Sequence, residues 1–138
     1  MNAAPPVAAT SRALLPALVV YAAASLFHHV HNATYLADYP NLPAWLTQAM
    51  VYLAWAVVSC VGLCGYLLLR AQRTLAGLAI IALYAVLGLT GLDHYARAPL
   101  AALSAMLNLS ILLEVAAALV LLGVLAAAAA VVARRRRA

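Results

Sequence analysis

Four histidines and three carboxylates are the residues of this chain that could carry acid–base or metal chemistry. Three of the histidines fall within residues 27–32, which read Phe-His-His-Val-His-Asn, and the fourth is His94. The carboxylates are Asp38, Asp93 and Glu114. Imidazole titrates near neutral pH and is a common metal ligand. Clustered histidines therefore predict either proton transfer or metal binding.

The spacing of the histidines permits a metal site. His28 and His31 are three residues apart, so on a helix they share a face and can chelate one ion. The remaining ligands must come from other segments; His94, Asp93 and Asp38 are the candidates, of which His94 and Asp93 complete the predicted set. Such a set suits a transition metal, namely zinc, copper or iron. Haem b held by His28 or His29 with His94 is a second arrangement, and anchoring of helix ends at a membrane interface is the structural alternative.

Glu114 is the one carboxylate that lies inside a long apolar run. An ionisable group in hydrocarbon is costly, so its presence there is by default a functional hypothesis. The predicted roles are general acid or base, proton carrier, or counter-charge for a bound cation. The structural alternative is a protonated carboxyl that is hydrogen-bonded to Ser110 or to a neighbouring helix. The predicted catalytic set is Glu114, His28 and Asn108.

The composition is that of a membrane protein. Hydrophobic residues make up 69% of the 138 residues and charged residues only 8%, whereas soluble domains carry about 25% charged residues. The net charge of +5 comes from eight arginines. Because these arginines lie in short segments beside apolar runs, they indicate membrane orientation rather than nucleic-acid binding.

Four apolar runs predict an all-α fold, an antiparallel four-helix transmembrane bundle. At about 1.5 Å per residue, a helix of about 20 residues crosses a hydrocarbon layer of about 30 Å. The fourth run is longer than needed, so it must tilt or protrude. We expect a single domain over residues 1–138, with helices at about 13–31, 44–69, 74–92 and 100–133 and a basic tail at 134–138.

The arginines predict the topology. Arg12, Arg70, Arg73 and residues 134–137 lie at one set of helix ends, and Arg97 lies at the other. The positive-inside rule then puts both termini in the cytoplasm, with the chain in the inner (plasma) membrane. Both histidine-bearing segments consequently face outward.

A polar pocket is predicted to open at the outer face, because polar residues recur at helical spacing on each run. Gly62, Gly65, Gly88 and Gly91 predict close helix contacts. The expected walls are Tyr21, Ser25, His28, Tyr52, Trp55, Tyr84, Asn108 and Glu114, with His31 and His94 at the mouth.

These features favour a membrane-embedded enzyme or metal-binding protein that acts on a lipophilic small molecule. A small proton-coupled transporter is the first alternative; it would work as a homodimer with Glu114 as the coupling carboxylate. The second alternative is a non-catalytic subunit of a larger membrane complex. The expected partners are the lipid bilayer and a lipophilic substrate, and no nucleic acid.

Overall fold

The computed structural model describes residues 6–137, and side chains from residue 12 onward. The described chain is all-helical, as the sequence predicts. Four helical segments are long and apolar enough to cross a membrane: Arg12–Thr34, Gln48–Arg70, Thr74–Arg97 and Ala105–Arg137.

Five helices make up these segments. They are α1 (Pro6–Thr34), α2 (Gln48–Arg70), α3 (Thr74–Gly88), α4 (Asp93–Arg97) and α5 (Ala105–Arg137). A 3-10 turn over Leu89–Leu92 joins α3 to α4. Two other 3-10 turns lie at Leu36–Asp38, after α1, and at Leu100–Ala102, before α5.

The third helical segment extends beyond the predicted end at residue 92. It continues to Arg97, because the first residue that opposes a helix is Pro99. Ala98, directly before that proline, adopts extended backbone with φ −151° and ψ 142°, as residues before proline prefer. His94 consequently lies within a helix rather than in a loop.

Side-chain caps move two helix starts inward from their predicted positions. The second helix begins at Gln48 instead of residue 44, because the Thr47 side chain accepts the Met50 N–H at 3.3 Å. The last helix begins at Ala105 instead of residue 100. There the Ser104 hydroxyl accepts the Leu107 N–H at 3.3 Å. Both are standard N-caps, which satisfy a backbone donor at a helix start.

Glycines let α2 and α3 pack closely. A Cβ added at Gly62 would come within 2.6 Å of the Tyr84 ring, and one at Gly65 within 2.6 Å of the Ile81 side chain. Rising numbers on α2 pair with falling numbers on α3, so these helices are antiparallel. Such small-residue contacts are typical of helices that pack within membranes.

The packed interior changes character along the bundle. We call the end that holds α4 and the start of α5 the histidine end, and the opposite end the arginine end. Tyr21 and Tyr84 lie between the two halves: their rings are 4.6 Å apart, and the Tyr21 hydroxyl donates to the Tyr84 carbonyl at 3.0 Å. Towards the arginine end the core is apolar and includes Leu14, Leu78, Ile81, Ala118, Leu121 and Leu125.

The outer surface is strongly apolar. Exposed side chains include Leu53 at 63% and Val120 at 60%. A contiguous apolar surface of this extent is rare in soluble monomers and suits contact with lipid.

Candidate functional site

Five buried polar side chains from α1 and α5 meet near the histidine end. Ser25, His28 and Asn32 come from α1, whereas Ser110 and Glu114 come from α5. None of them is more than 8% exposed. Their spacing of three or four residues places each set on one helix face, and the two faces are packed together. We call these five residues the buried polar cluster.

Two imidazoles flank the Glu114 carboxyl. Its Oε2 atom lies 3.8 Å from Nε2 of His28, and its Oε1 atom lies 3.9 Å from Nδ1 of His29. Glu114 is 2% exposed and His28 is 3% exposed, whereas His29 is half-buried. Glu114 lies about 14 Å along α5 from the start of that helix. The carboxyl is therefore well inside the fourth candidate span.

Hydrogen bonds define the tautomer of His28. The Ser110 hydroxyl donates to the Leu107 carbonyl at 2.9 Å, so its oxygen accepts from the Nδ1–H of His28 at 3.4 Å. A neutral imidazole that donates from Nδ1 has a lone pair on Nε2. That lone pair is the one that faces Glu114. At 3.8 Å the two atoms are beyond hydrogen-bond distance, so the carboxyl and the imidazole lone pair are both free to contact a molecule placed between them.

The other two histidines near the carboxyl have the same tautomer. Nδ1–H of His29 donates to the Ser25 carbonyl at 2.9 Å. Asn32 donates from its amide nitrogen to Nε2 of His94 at 3.4 Å, so the proton of a neutral His94 is on Nδ1. The rings of His28 and His94 contact each other, with centroids 5.5 Å apart. Their Nε2 atoms therefore serve as acceptors.

A cavity of about 140 Å³ adjoins the cluster. We call it the polar cavity. It has space for a few water molecules or for a small polar group of a ligand. A Cβ at Gly91 would lie 3.5 Å from Oε2 of Glu114, so the glycine keeps the space beside the carboxyl open. The lining residues are His28, His29, Asn32, Val58, Leu87, Gly88, Thr90, Gly91, His94 and Glu114.

Two buried polar atoms of the cluster are unpaired. Within the described part of the chain, neither the Ser25 hydroxyl nor the Asn32 carbonyl oxygen has a hydrogen-bond partner. An unpaired buried polar group costs about 1–3 kcal/mol. Both atoms are therefore suited to bind water or a ligand.

A second cavity, of about 270 Å³, lies between α1 and α2. We call it the apolar groove. Its walls are mostly hydrocarbon, and it reaches the Tyr84 ring. The Trp55 indole N–H has no hydrogen-bond partner among residues 12–137. The lining residues are Leu15, Leu18, Ala22, Trp55, Ser59, Gly62, Leu63, Tyr66 and Tyr84.

Two of the predicted wall residues lie apart from the cluster. Tyr52 is 43% exposed on the outer surface of α2. Asn108 donates from its amide nitrogen to the carbonyls of Leu100 and Leu103, at 3.1 and 3.2 Å. It therefore holds the connector before α5, whereas the other two members of the predicted catalytic set, Glu114 and His28, are brought together.

The structure brings together two of the four predicted metal ligands, His28 and His94, but not His31 or Asp93. His31 faces aromatic rings of the connector between α1 and α2 (residues 35–47): its ring lies 4.6 Å from that of Tyr35, and it is hydrogen-bonded to the Tyr39 hydroxyl at 3.4 Å. Asp93 is exposed. Across residues 12–137, no three His, Cys, Asp or Glu side chains are grouped so that they could hold a metal ion. The set of His28, His31, His94 and Asp93 is thus not supported as a metal site.

Haem b does not fit between His28 and His94 either. The imidazole rings of His28 and His94 are in edge-to-face contact, at 65° to each other. The ring of His28 also meets that of His29 edge to face, with centroids 5.4 Å apart. This packing leaves no space for a porphyrin plane between facing axial ligands.

Sequence reasoning did not identify Tyr39 as part of the site. This connector residue is 3% exposed, and its ring lies 4.7 Å from that of His94. Burial raises the pKa of the Tyr39 phenol above its ordinary value. The sequence feature that could have indicated the burial of Tyr39 is the proline that follows it, because Pro40 helps to fold the connector back over the helix ends. Tyr39 therefore packs over His31 and His94 at the histidine end of the bundle.

The site as a whole is suited to moving a proton. It joins a buried carboxyl to an imidazole lone pair beside a small cavity, and the hydrogen bonds of Ser110 and Asn32 orient the imidazoles. Comparisons with protein-family models, curated proteins and solved structures gave no match. The interpretation therefore rests on the chemistry of these side chains.

Proposed function

We propose that this protein crosses the inner (plasma) membrane as an antiparallel four-helix bundle with both termini in the cytoplasm. The apolar outer surface and the length of the four helical segments support this arrangement. The arginines support the orientation, since Arg12, Arg70, Arg73 and residues 134–137 gather at one end. The buried polar cluster then lies closer to the outer face.

Within that arrangement, the proposed function is acid–base catalysis on a lipophilic small molecule by a membrane-embedded enzyme. The observation that carries this proposal is the 3.8 Å approach of Nε2 of His28 to the buried carboxyl of Glu114. A protonated Glu114 donates its proton to one atom of the substrate. The Nε2 lone pair of His28 removes a proton from a neighbouring atom, and the net reaction is a proton shift. The Ser110 hydroxyl holds His28 in the required tautomer.

The position of the cluster supports one-sided chemistry over transport. Polar side chains line the bundle from His94 to the Tyr21–Tyr84 pair, but the core beyond it is apolar, including Leu14 and Leu121. A solute that crossed a single copy would therefore have to pass this apolar layer. Proton-coupled transport would consequently need a homodimer that forms a second path.

The decisive experiment is an untargeted search for lipid chemistry. Wild-type protein in nanodiscs is incubated in D₂O with a total membrane lipid extract, and the lipids are analysed by liquid chromatography and mass spectrometry. We expect deuterated or shifted lipid species. Their rate of formation should fall by about 10²-fold or more in Glu114→Gln, because general acid catalysis contributes that much.

Asp93→Asn is the matched control, since it makes the same chemical change at an exposed carboxylate. It should retain the wild-type rate. If wild type and Glu114→Gln yield identical lipid profiles, the enzyme proposal is wrong. Proton flux that requires Glu114 in proteoliposomes would then favour the transporter. Stable co-purification with other membrane proteins would favour the subunit of a larger complex.

A further inference from the structure

The apolar groove and the polar cavity lie end to end along one side of the bundle. On α2, the neighbouring residues Ser59 and Val58 line the groove and the cavity, respectively. On α3, Tyr84 lines the groove, and Gly88, one turn further on, lines the cavity. On α1, Ala22 lines the groove and His28 lines the cavity, about 9 Å further along the helix. The two spaces are therefore one to two helical turns apart, and we call the pair the track, which is apolar at one end and polar at the other.

The groove is accessible from the side of the bundle. Leu15 is 49% exposed and Leu63 is 57% exposed, so its rims face the surroundings of the helices. Its volume of about 270 Å³ lies just below the range of about 300–1,000 Å³ that is usual for sites enclosing drug-sized ligands. A single hydrocarbon chain that lies lengthwise fits such a space better than a fused ring system.

The polar cavity offers mainly hydrogen-bond acceptors. The Asn32 carbonyl oxygen is unpaired, and the Glu114 carboxyl and the His28 Nε2 lone pair face the same space. The two imidazole donors are already used, because Nδ1–H of His28 donates to Ser110 and Nδ1–H of His29 donates to the Ser25 carbonyl. A protonated Glu114 supplies one donor, its hydroxyl, whereas its carbonyl oxygen, the Asn32 oxygen and Nε2 of His28 are acceptors. A head group that donates hydrogen bonds is therefore matched to this cavity better than a carboxylate or phosphate, which only accepts.

We propose that this track binds a single-chain amphiphile whose head is a hydrogen-bond-donating alcohol or amine. The head occupies the polar cavity beside Asn32 and Glu114, and the chain lies in the apolar groove against Ala22 and Trp55. This inference rests on the proposed function, because it names the substrate class of the same site. Binding requires no turnover, however, so it can be measured separately.

The test uses three twelve-carbon probes that carry a photoreactive diazirine on the chain and end in an alcohol, an amine or a carboxylate. Protein in nanodiscs is irradiated with each probe, and the labelled residues are located by mass spectrometry. The alcohol or the amine should label residues that line the groove, and the result identifies which head is preferred. If the carboxylate probe labels the groove as strongly as the alcohol and the amine probes do, the assignment of a hydrogen-bond-donating head is wrong.

Neighbouring alanines provide matched variants. Ala22 lines the groove, whereas Ala23 is exposed on the outer surface. Filling the groove with Ala22→Leu should lower labelling by about tenfold or more, as expected for added bulk in an apolar pocket. Ala23→Leu should change it by no more than about twofold. Equal labelling in the two variants would overturn the proposed position of the chain.

A second pair of variants narrows the cavity without altering the groove. Gly91→Ala adds a methyl group 3.5 Å from Oε2 of Glu114 without overlap, and a Cβ at Gly123 has no atom within 4 Å. Gly91→Ala should reduce labelling and Gly123→Ala should not; equal labelling would overturn the position of the head. If the probes bind as described but Glu114→Gln leaves lipid chemistry unchanged, the proposed function fails and this inference stands. If Glu114→Gln abolishes lipid chemistry but the probes label Ala22→Leu and Gly91→Ala as strongly as wild type, the proposed function stands and this inference fails.

Discussion

Replacing Gly88 with alanine tests how tightly the centre of the bundle is packed. The added Cβ would lie 2.7 and 2.8 Å from Cε2 and Cζ of Tyr21, well inside the normal contact distance of about 3.5–4.0 Å. Tyr21 is fully buried, and its hydroxyl donates to the Tyr84 carbonyl at 3.0 Å. The backbone at Gly88 is ordinary helix with φ −68°. The three atoms nearest to the added Cβ all belong to Tyr21, so the Tyr21 side chain is the main obstacle to the alanine.

The expected loss follows from three contributions to the free energy of unfolding. Overpacking of a filled core costs about 1–3 kcal/mol. Displacing the Tyr21 ring weakens its hydrogen bond to Tyr84, which contributes about 0.5–1.5 kcal/mol. The higher helix propensity of alanine offsets about 0.8–1 kcal/mol of this. Gly88→Ala should therefore destabilise the protein by about 1–3 kcal/mol, with packing as the dominant contribution.

The assay is reversible unfolding by dodecyl sulfate in mixed micelles, followed by circular dichroism. Gly123→Ala is the control, because its Cβ meets no atom within 4 Å and the change reports helix propensity alone. We expect Gly123→Ala to be as stable as wild type or slightly more so. If Gly88→Ala unfolds at the same denaturant fraction as Gly123→Ala, the inferred contact between Gly88 and Tyr21 is wrong.

Two further predictions concern residues that position the site. Ser110→Ala removes the acceptor for Nδ1–H of His28, so ¹⁵N NMR of labelled histidine should lose the Nδ1–H signature of that residue, and an unchanged spectrum would contradict the tautomer assignment. Asn108→Ala removes two hydrogen bonds to the connector carbonyls, so it should cost about 1–3 kcal/mol in unfolding. The lipid chemistry of the folded Asn108 variant should persist, and its loss would return Asn108 to the catalytic set.

The four helical spans could be predicted from sequence because run length and hydropathy are properties of a single segment. Helix ends were harder, since they depend on local hydrogen bonds. The caps formed by Thr47 and Ser104 shorten two helices, and the distance to Pro99 lengthens the third segment. The shift at the third segment is the one that matters for the site, because it brings His94 into a helix.

The burial of Glu114 and His28 could be predicted because a polar side chain within an apolar run must face the bundle interior. His31 and Asp93 lie where runs end, and hydropathy no longer determines which way a side chain points there. His31 faces Tyr39 instead of the carboxyl, and Asp93 is exposed. The role of Asn108 could not be predicted from the sequence either, since its hydrogen-bond partners are backbone carbonyls of the connector before α5.

The buried polar cluster joins the first and the last helix of the chain, and this has a consequence for biosynthesis. His28 and Ser110 are 82 residues apart in sequence, whereas the antiparallel pair of α2 and α3 is held by contacts between chain neighbours. The hairpin of α2 and α3 can therefore assemble early, as local contacts form fastest. The carboxyl and its imidazole meet only after the final helix has docked. A chain that is truncated or arrested before α5 lacks Glu114 altogether, so such a molecule cannot present the paired groups to lipid.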